Sequence, residues 1–391
     1  MKLQPSTAAS LVINRLNEQG YEAFAVGGCV RDGLLGIPAK DWDVCTNALP
    51  QEILASFEDF HTVPTGIQHG TVTVVAQGQP IEVTTYRIDG DYSDSRHPDG
   101  VTFTPSLQED LARRDFTVNA MAYHPDYGLV DLFGGQQDLA DKRIRCVGES
   151  AKRFSEDALR ILRGLRFASV LDFTLTEDTV AGMRKTAPLL QKVATERVYQ
   201  ELSKLVCGKA APRILKQYKD LLLPMFPFVE DSQRDYDALS RLPDDLCIRL
   251  AFLYLGNPKA EQGMKALRAP TAVAQRVALL AQEGEHPLCD QQSALCRAVF
   301  RWGFEATGQL TQLQAGLGIC PPSVSDALQS IKEQNVCCSL NDLAVKGEHL
   351  LAAGIPAGRM VGQTLQTLLF AVMDGKVENR TESLLAYLND L

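Results

Sequence analysis

Residues 24–45 read FAVGGCVRDGLLGIPAKDWDVC. The apolar run Phe24-Ala25-Val26 predicts a short strand, and Gly27-Gly28 turns it into a helix beginning near Val30. Trp42-Asp43-Val44-Cys45 predicts a second strand. A strand, a glycine pair and a helix can admit an anion, because glycine lets the backbone approach closely and a helix start presents unpaired N–H groups. Arg31 would add a charged fork. The same pattern also serves as an ordinary strand-to-helix turn, and it fits neither the P-loop nor the Rossmann spacing. On the second strand, a period of two puts Asp41 and Asp43 on one face and Trp42 on the other. Neighbouring carboxylates repel unless cations neutralise them. Magnesium does so with oxygen ligands, and two such ions can activate an attacking hydroxyl and stabilise a departing pyrophosphate. A solvated acidic pair at a strand edge is the alternative.

On the N-terminal side, residues 10–18 carry Leu11, Val12, Ile13 and Leu16 at helical spacing. On the C-terminal side, residues 71–76 and 81–86 predict a hairpin through Gln77-Gly78-Gln79-Pro80. Glu82 lies on its second strand, where pairing beside Asp43 would bring a third carboxylate to the metals; a solvated charge or a partner for Arg87 are the other readings. Residues 87–105 are rich in Asp, Gly and Pro and read as a mobile loop. From about Glu109 the pattern turns helical and is expected to stay so, with Leu365, Leu368, Leu369 and Val372 forming a stripe near the C-terminus. The expected plan is a small α/β head followed by a long all-α body.

Two stretches in the helical part carry further chemistry. In LARRDFTVNAMAY, residues 111–123, Asp115 and Asn119 are four apart and are expected to share a helix face, flanked by Arg113 and Arg114. They suit a ribose hydroxyl and a phosphate, or simply a helix cap and a solvated arginine pair. In SEDALRILRGLRFAS, residues 155–169, Asp157 and Arg160 are one turn apart, and Arg160, Arg163 and Arg166 repeat every three residues. An amphipathic helix with i, i+3 ion pairs accounts for this without function. Yet a carboxylate only accepts hydrogen bonds and a guanidinium only donates. Cytosine and adenine each offer an amino donor beside a ring-nitrogen acceptor, whereas guanine and uracil offer the reverse. One rigid Asp–Arg pair would therefore accept C and A and reject G and U, whose mismatched polar groups would stay unpaired.

The bulk numbers limit the partners. The chain has 391 residues and a formal net charge of −9, with 39 basic and 48 acidic side chains. An RNA partner then requires local basic clusters, and two exist: Lys142, Arg143, Arg145, Lys152 and Arg153, then Lys209, Arg213, Lys216 and Lys219. Two solvated helix faces are the alternative. The 10 cysteines are scattered, without a C-x-x-C pair, which predicts reduced thiols, a cytoplasmic protein and no structural zinc. Residues 1–10 have no apolar core of a signal peptide, and the greasiest stretch, residues 221–229, is too short to cross a membrane.

Taken in order, GGCVRD (27–32), DWD (41–43), TGIQHGTVTV (65–74), EVTTYR (82–87), RRDFTVNA (113–120) and EDALRILRGLRFA (156–168) resemble the class II tRNA nucleotidyltransferase and bacterial poly(A) polymerase family. Residues 343–365 resemble the tail of its Gram-positive-type CCA-adding members. The resemblance implies an α+β fold with a polymerase-β-type nucleotidyltransferase head, a mixed sheet with helices, over residues 1–145. An all-α neck (146–215), body (216–320) and tail (321–391, binding tRNA) would follow. It implies Asp41 and Asp43 as ligands of Mg2+, and Gly27, Gly28 and Arg31 at the triphosphate. It places Arg114, Asp115 and Asn119 at the incoming nucleotide. Asp157 and Arg160 become the amino-acid template for CTP or ATP, with Arg163 and Arg166 near the nucleotide. Residues 87–105 match the loop linked to the switch from C to A addition; their full length argues against a CC-only enzyme. The expected activity is CCA addition to the tRNA 3′ end from CTP and ATP. The rivals are an A-adding enzyme or a poly(A) polymerase, and, more remotely, a non-catalytic RNA-binding protein. No His-Asp pair predicts a phosphohydrolase site.

Overall fold

A computed structural model describes residues 3–90, 101–229 and 234–388. The chain divides into two compact units, residues 1–221 and 222–391. The first unit contains both the segment expected as head and the whole of that expected as neck.

The first unit is organised by a seven-stranded mixed sheet in the order β3-β4-β5-β2-β1-β8-β9. These strands are β1 (Ala23–Val26), β2 (Asp43–Thr46), β3 (His61–Gly66), β4 (Thr71–Ala76), β5 (Gln79–Thr85), β8 (Met121–His124) and β9 (Gly128–Asp131). Only β2 and β5 pair in parallel, in the register Asp43↔Glu82. Helix α1 (Thr7–Glu18) packs on the sheet through Ala8, Ala9, Val12, Ile13 and Leu16, all buried. Phe24, Val26, Cys45, Tyr86, Leu111 and Ala122 form a separate buried cluster. Leu111 comes from α4 (Leu107–Ala112), which follows α2 (Gly28–Leu34) and α3 (Pro50–Ser56) in the chain.

The sheet corrects three sequence expectations. β8 and β9 lie inside the stretch expected to be helical throughout. All four residues of β8 are buried, and a strand buried on both faces has no alternation by which to be told from a helix. The segment read as a loop from Arg87 to Pro105 begins and ends in a two-stranded pair, β6 (Arg87–Asp89) with β7 (Val101–Phe103); its centre lies outside the described residues. The turn between β4 and β5 is Gln77-Gly78 alone, both at positive φ, as a two-residue hairpin turn requires.

Beyond α5 (Gly135–Ala140) come α6 (Ser150–Glu156), α7 (Leu159–Leu171), α8 (Glu177–Thr186) and α9 (Thr195–Val206). A two-residue parallel bridge, Arg143–Ile144 with Thr174–Leu175, ties the start of this helical part to the end of α7. α7 lies against α9, and α6 against α8.

The second unit is helical. Its C-terminal core gathers Leu295, Val299, Val324, Leu328, Leu350, Leu368 and Leu369. Leu368 and Leu369 are fully buried and Leu365 and Val372 pack against them, so the C-terminal stripe faces a core. No described helix is long and apolar enough to cross a membrane.

Candidate active site

A cavity of about 580 Å³ opens in the first unit, lined by Gly27, Gly28, Arg31, Asp41, Asp43, Arg113, Arg114, Asp115, Asn119, Asp157, Arg160, Arg163, Arg166, Phe167 and Arg197. Every nucleotide-site and metal-site residue singled out from the sequence is on its wall except Glu82. Seven arginines face four aspartates there, so a basic surface is concentrated in a chain of net charge −9.

The floor follows from the β1–α2 turn. Gly27 has φ +82, a conformation that side chains rarely adopt, and a Cβ there would lie 3.2 Å from Arg114 Nη1. Glycine thus lets the backbone pass close under a guanidinium. Arg31 donates from Nη1 to Asn119 Oδ1 (2.6 Å) and from Nε to Asp32 (2.8 Å).

Asp41 and Asp43 arrive at the cavity by a shorter strand than expected. β2 begins at Asp43, so Asp41 sits in the preceding bend, yet both reach the wall. Burial, then the Glu82 carboxylate across the β2–β5 pairing, then Asp41, push the Asp43 carboxyl up to about 6 against the pull of Arg114. Glu82 itself is exposed and stands beside Asp43, outside the cavity wall. Among the described residues no three His, Cys, Asp or Glu side chains group closely enough to hold a metal ion by themselves. Two crowded carboxylates facing a basic cavity still fit magnesium, which commonly takes one or two carboxylates and completes its shell with water and substrate phosphates.

Asp115 and Asn119 meet, but not on an α-helix. α4 stops at Ala112, and only a short 3₁₀ turn spans Thr117–Asn119. Asn119 Nδ2 still donates to Asp115 Oδ1 at 3.2 Å. The other oxygen of Asp115 pairs with Arg163, at 2.8 Å from Nε and 2.7 Å from Nη2. Burial alone would raise the Asp115 carboxyl; Arg163 and the Asn119 amide hold it below the usual carboxylate range.

The expected continuous helix through residues 155–169 is broken. Asp157 takes extended backbone angles between α6 and α7, and its Oδ1 accepts the Leu159 N–H at 3.0 Å. The i, i+3 ion pair expected from the spacing gives way to outside partners. Asp157 Oδ2 accepts from Arg197 Nη2 at 3.1 Å. Arg160 pairs with Glu156 at 2.8 Å and donates to the carbonyls of Arg153 and Arg113. Arg166 pairs with the buried Glu201 at 2.5 Å. The guanidiniums of Arg31, Arg163 and Arg166 surround the Phe167 ring at 5.1, 5.4 and 4.0 Å from its centroid.

Sequence reasoning passed over Asp110, Glu156, Arg197, Glu201 and Phe167. Asp110 is fully buried and pairs with Arg113 (2.8 Å) and Arg114 (3.0 Å), which hold its carboxyl low although burial pushes it up. Its i, i+3 and i, i+4 spacing to those arginines was a usable signal. Arg197 and Glu201 had none, because they reach the site from α9.

The residues of the two basic clusters are not on the cavity wall, although Arg153 shares Glu156 with Arg160. Arg145 is tied to Asp138, Arg153 to Glu156, Arg143 to Asp141 and Arg213 to Asp172. Lys152, Lys209, Lys216 and Lys219 are exposed, and Lys142 lies in a turn at φ +54.

Comparison with known proteins finds three family matches along the chain. Residues 23–145 match the poly A polymerase head domain, residues 172–232 a probable RNA- and SrmB-binding site of polymerase A, and residues 245–388 a putative tRNA nucleotidyltransferase domain 2. The chain is 37% identical to the CCA-adding enzyme of Limosilactobacillus fermentum over 97% of its length and 96% of the relative's. It is also 37% identical to that of Geobacillus stearothermophilus, over 98% and 96%. The crystal structure of the Bacillus stearothermophilus CCA-adding enzyme in complex with CTP superposes with a TM-score of 0.83, at 32% identity, over 98% of this chain and 96% of that one. The fold is that of a nucleotidyltransferase. The chain belongs to the family of the CCA-adding enzymes.

Proposed function

We propose that this enzyme completes or repairs the tRNA 3′ end by adding C, C and A in turn from CTP and ATP, releasing pyrophosphate at each step. The observation that carries the reading is the placement of Asp157 and Arg160 on one wall of a cavity whose other walls hold Asp41, Asp43 and six further arginines. An acceptor and a donor stand side by side for a base, and cations stand ready for a triphosphate.

In this reading Asp41 and Asp43 hold magnesium, with Glu82 as the adjacent third carboxylate. Magnesium bound there would neutralise phosphate charge and make the 3′-hydroxyl easier to deprotonate. The chain's own side chains do the positioning. Gly27 and Gly28 let the triphosphate approach the backbone, and Arg31 and Arg114 hold its charge. Asp115 and Asn119 accept and donate at the ribose, with Arg163 fixing the Asp115 carboxylate. Asp157 accepts the exocyclic amino proton of C or A, and Arg160 donates to the ring nitrogen. Arg166, beside Phe167, supports the nucleotide. Among the described residues no His or Cys is on the cavity wall, so attack by the tRNA hydroxyl on the α-phosphate rests on orientation and charge. Lys142, Arg143, Arg145, Lys152, Arg153, Lys209, Arg213, Lys216 and Lys219 are offered to the tRNA backbone, and residues 321–391 form its tail domain. The site of action is the cytoplasm.

The test uses purified protein, magnesium and tRNA transcripts ending before the CCA, with CTP, ATP, both, or GTP and UTP, and product lengths read on a gel. Two C additions, then one A when both substrates are present, are expected. Long A tails would reassign the enzyme to poly(A) synthesis. Addition of A only to CC-ended tRNA would make it the second half of a two-enzyme pathway, and no extension would favour a binding protein.

A further inference from the structure

Asp157 and Arg160 carry opposite charges three residues apart at the start of a helix. Left to themselves, such side chains pair with each other. Paired, their hydrogen-bonding capacity would be spent and nothing would remain to read a base. In the structure each is held by a partner outside the pair: Arg160 by Glu156 at 2.8 Å, and Asp157 by Arg197 at 3.1 Å. Arg197 comes from α9, forty residues along the chain. Its second terminal nitrogen, Nη1, is buried without a hydrogen-bond partner, although Arg197 lines the cavity.

We infer that Arg197 is a specificity-determining positioning residue, which keeps the Asp157 carboxylate apart from Arg160 so that the two can act as donor and acceptor toward a base. The inference rests on the reading of Asp157 and Arg160 as the nucleotide template. With Leu159 N–H on Oδ1 and Arg197 on Oδ2, each oxygen is anchored once and keeps acceptor capacity for an amino group. A base presenting a carbonyl at the same point meets acceptor against acceptor. Without Arg197, the carboxylate can rotate or swing back to Arg160, and the discriminating edge closes.

The test compares Arg197→Met and Arg197→Lys with the wild type, measuring kcat and KM separately for CTP, UTP, ATP and GTP on the same transcripts. For R197M, kcat/KM for CTP and ATP should fall by roughly 10- to 100-fold, the range for losing a hydrogen bond to a charged group. UTP and GTP should change much less, so the CTP/UTP and ATP/GTP ratios collapse together. R197K, which retains one cation on a flexible stem, should recover part of both ratios. A uniform drop for all four nucleotides, with the ratios intact, would overturn the inference and leave Arg197 a structural residue. If R197M is not folded by circular dichroism, the R197K ratios decide alone: full wild-type activity with unchanged discrimination sinks the claim for a bidentate-capable guanidinium. Wild-type protein that adds neither C nor A would instead refute the underlying template reading.

Discussion

Side chains at the cavity wall differ in what their loss should do. Asp41→Asn or Asp43→Asn removes charge without changing size, and each is expected to cut nucleotide incorporation by at least about 10²-fold while leaving the melting temperature near wild type. Unchanged incorporation would exclude these two carboxylates from the chemistry. Asp110 should behave in the opposite way. It touches no reacting group, but Asp110→Asn leaves Arg113 and Arg114 with a neutral partner in a buried setting, and breaking such an arrangement costs about 3–5 kcal/mol. Urea denaturation of the head should show the loss directly. The pH dependence follows from the sign of the shift. The Asp110 carboxyl, like that of Asp115, is held below its ordinary value in the folded protein, so the unfolded chain binds more protons in acid. Their contribution is fully present above about pH 4, the ordinary aspartate range, and is lost as pH falls through the folded-state values. The urea midpoint of wild type should therefore drop on acidification below about pH 4 more steeply than that of D110N.

At the scale of elements, helix α7 is held in place by close packing. Gly164 of α7 faces Phe116 and Met183, and an added Cβ would come within 2.7 and 2.4 Å of their side chains. The methionine can move aside, but the Phe116 ring is fully buried and follows Asp115 directly in the chain. Gly164→Ala is expected to destabilise the first unit by about 1–3 kcal/mol. It should also weaken nucleotide binding, because a displaced Phe116 moves its neighbour Asp115. A stable G164A variant with normal KM for CTP would show that this contact is loose. The break between α6 and α7 has its own local cause: the Asp157 side chain accepts the Leu159 N–H two residues on, a local turn that competes with a continuous helix. An aspartate in a run of helix formers is a weak signal of such a break, which is why the spacing suggested one uninterrupted helix.

For the whole molecule, the balance of charge governs how RNA is met. A chain of net charge −9 repels a polyanion at long range, so attraction has to come from the cavity arginines and the exposed lysines. Affinity for tRNA should fall by at least about tenfold between about 50 and 200 mM salt, as expected for a few phosphate contacts. An affinity that stays level over that range would remove the basic clusters from the interface. Changing Lys209, Lys216 and Lys219 together to Gln should lower the slope of log affinity against log salt, while kcat at saturating tRNA stays the same.

Local patterns in the sequence sufficed for whatever local physics decides. The alternation of β4, the Gly-Gly turn after β1, the amphipathic α1 and the C-terminal leucine stripe are properties of neighbours in the chain, and so is the pairing potential of Asp157 and Arg160. Most residues on the cavity wall were legible because their order along the chain carries a family resemblance; Phe167 and Arg197 were not. The pairings that only the fold could choose were not legible. β8 is buried on both sides, so its burial erased the periodicity that would have announced it. The partner of Asp157 turned out to be Arg197 and that of Arg166 turned out to be Glu201, each brought in by α9. Charged groups take whichever opposite charge packing places nearest in a desolvated site, and packing is decided over distances along the chain that no local pattern records. The sequence by itself therefore determined which chemical groups this enzyme has and in what order. The tertiary structure decided which of them are tied to one another and which remain to meet a nucleotide.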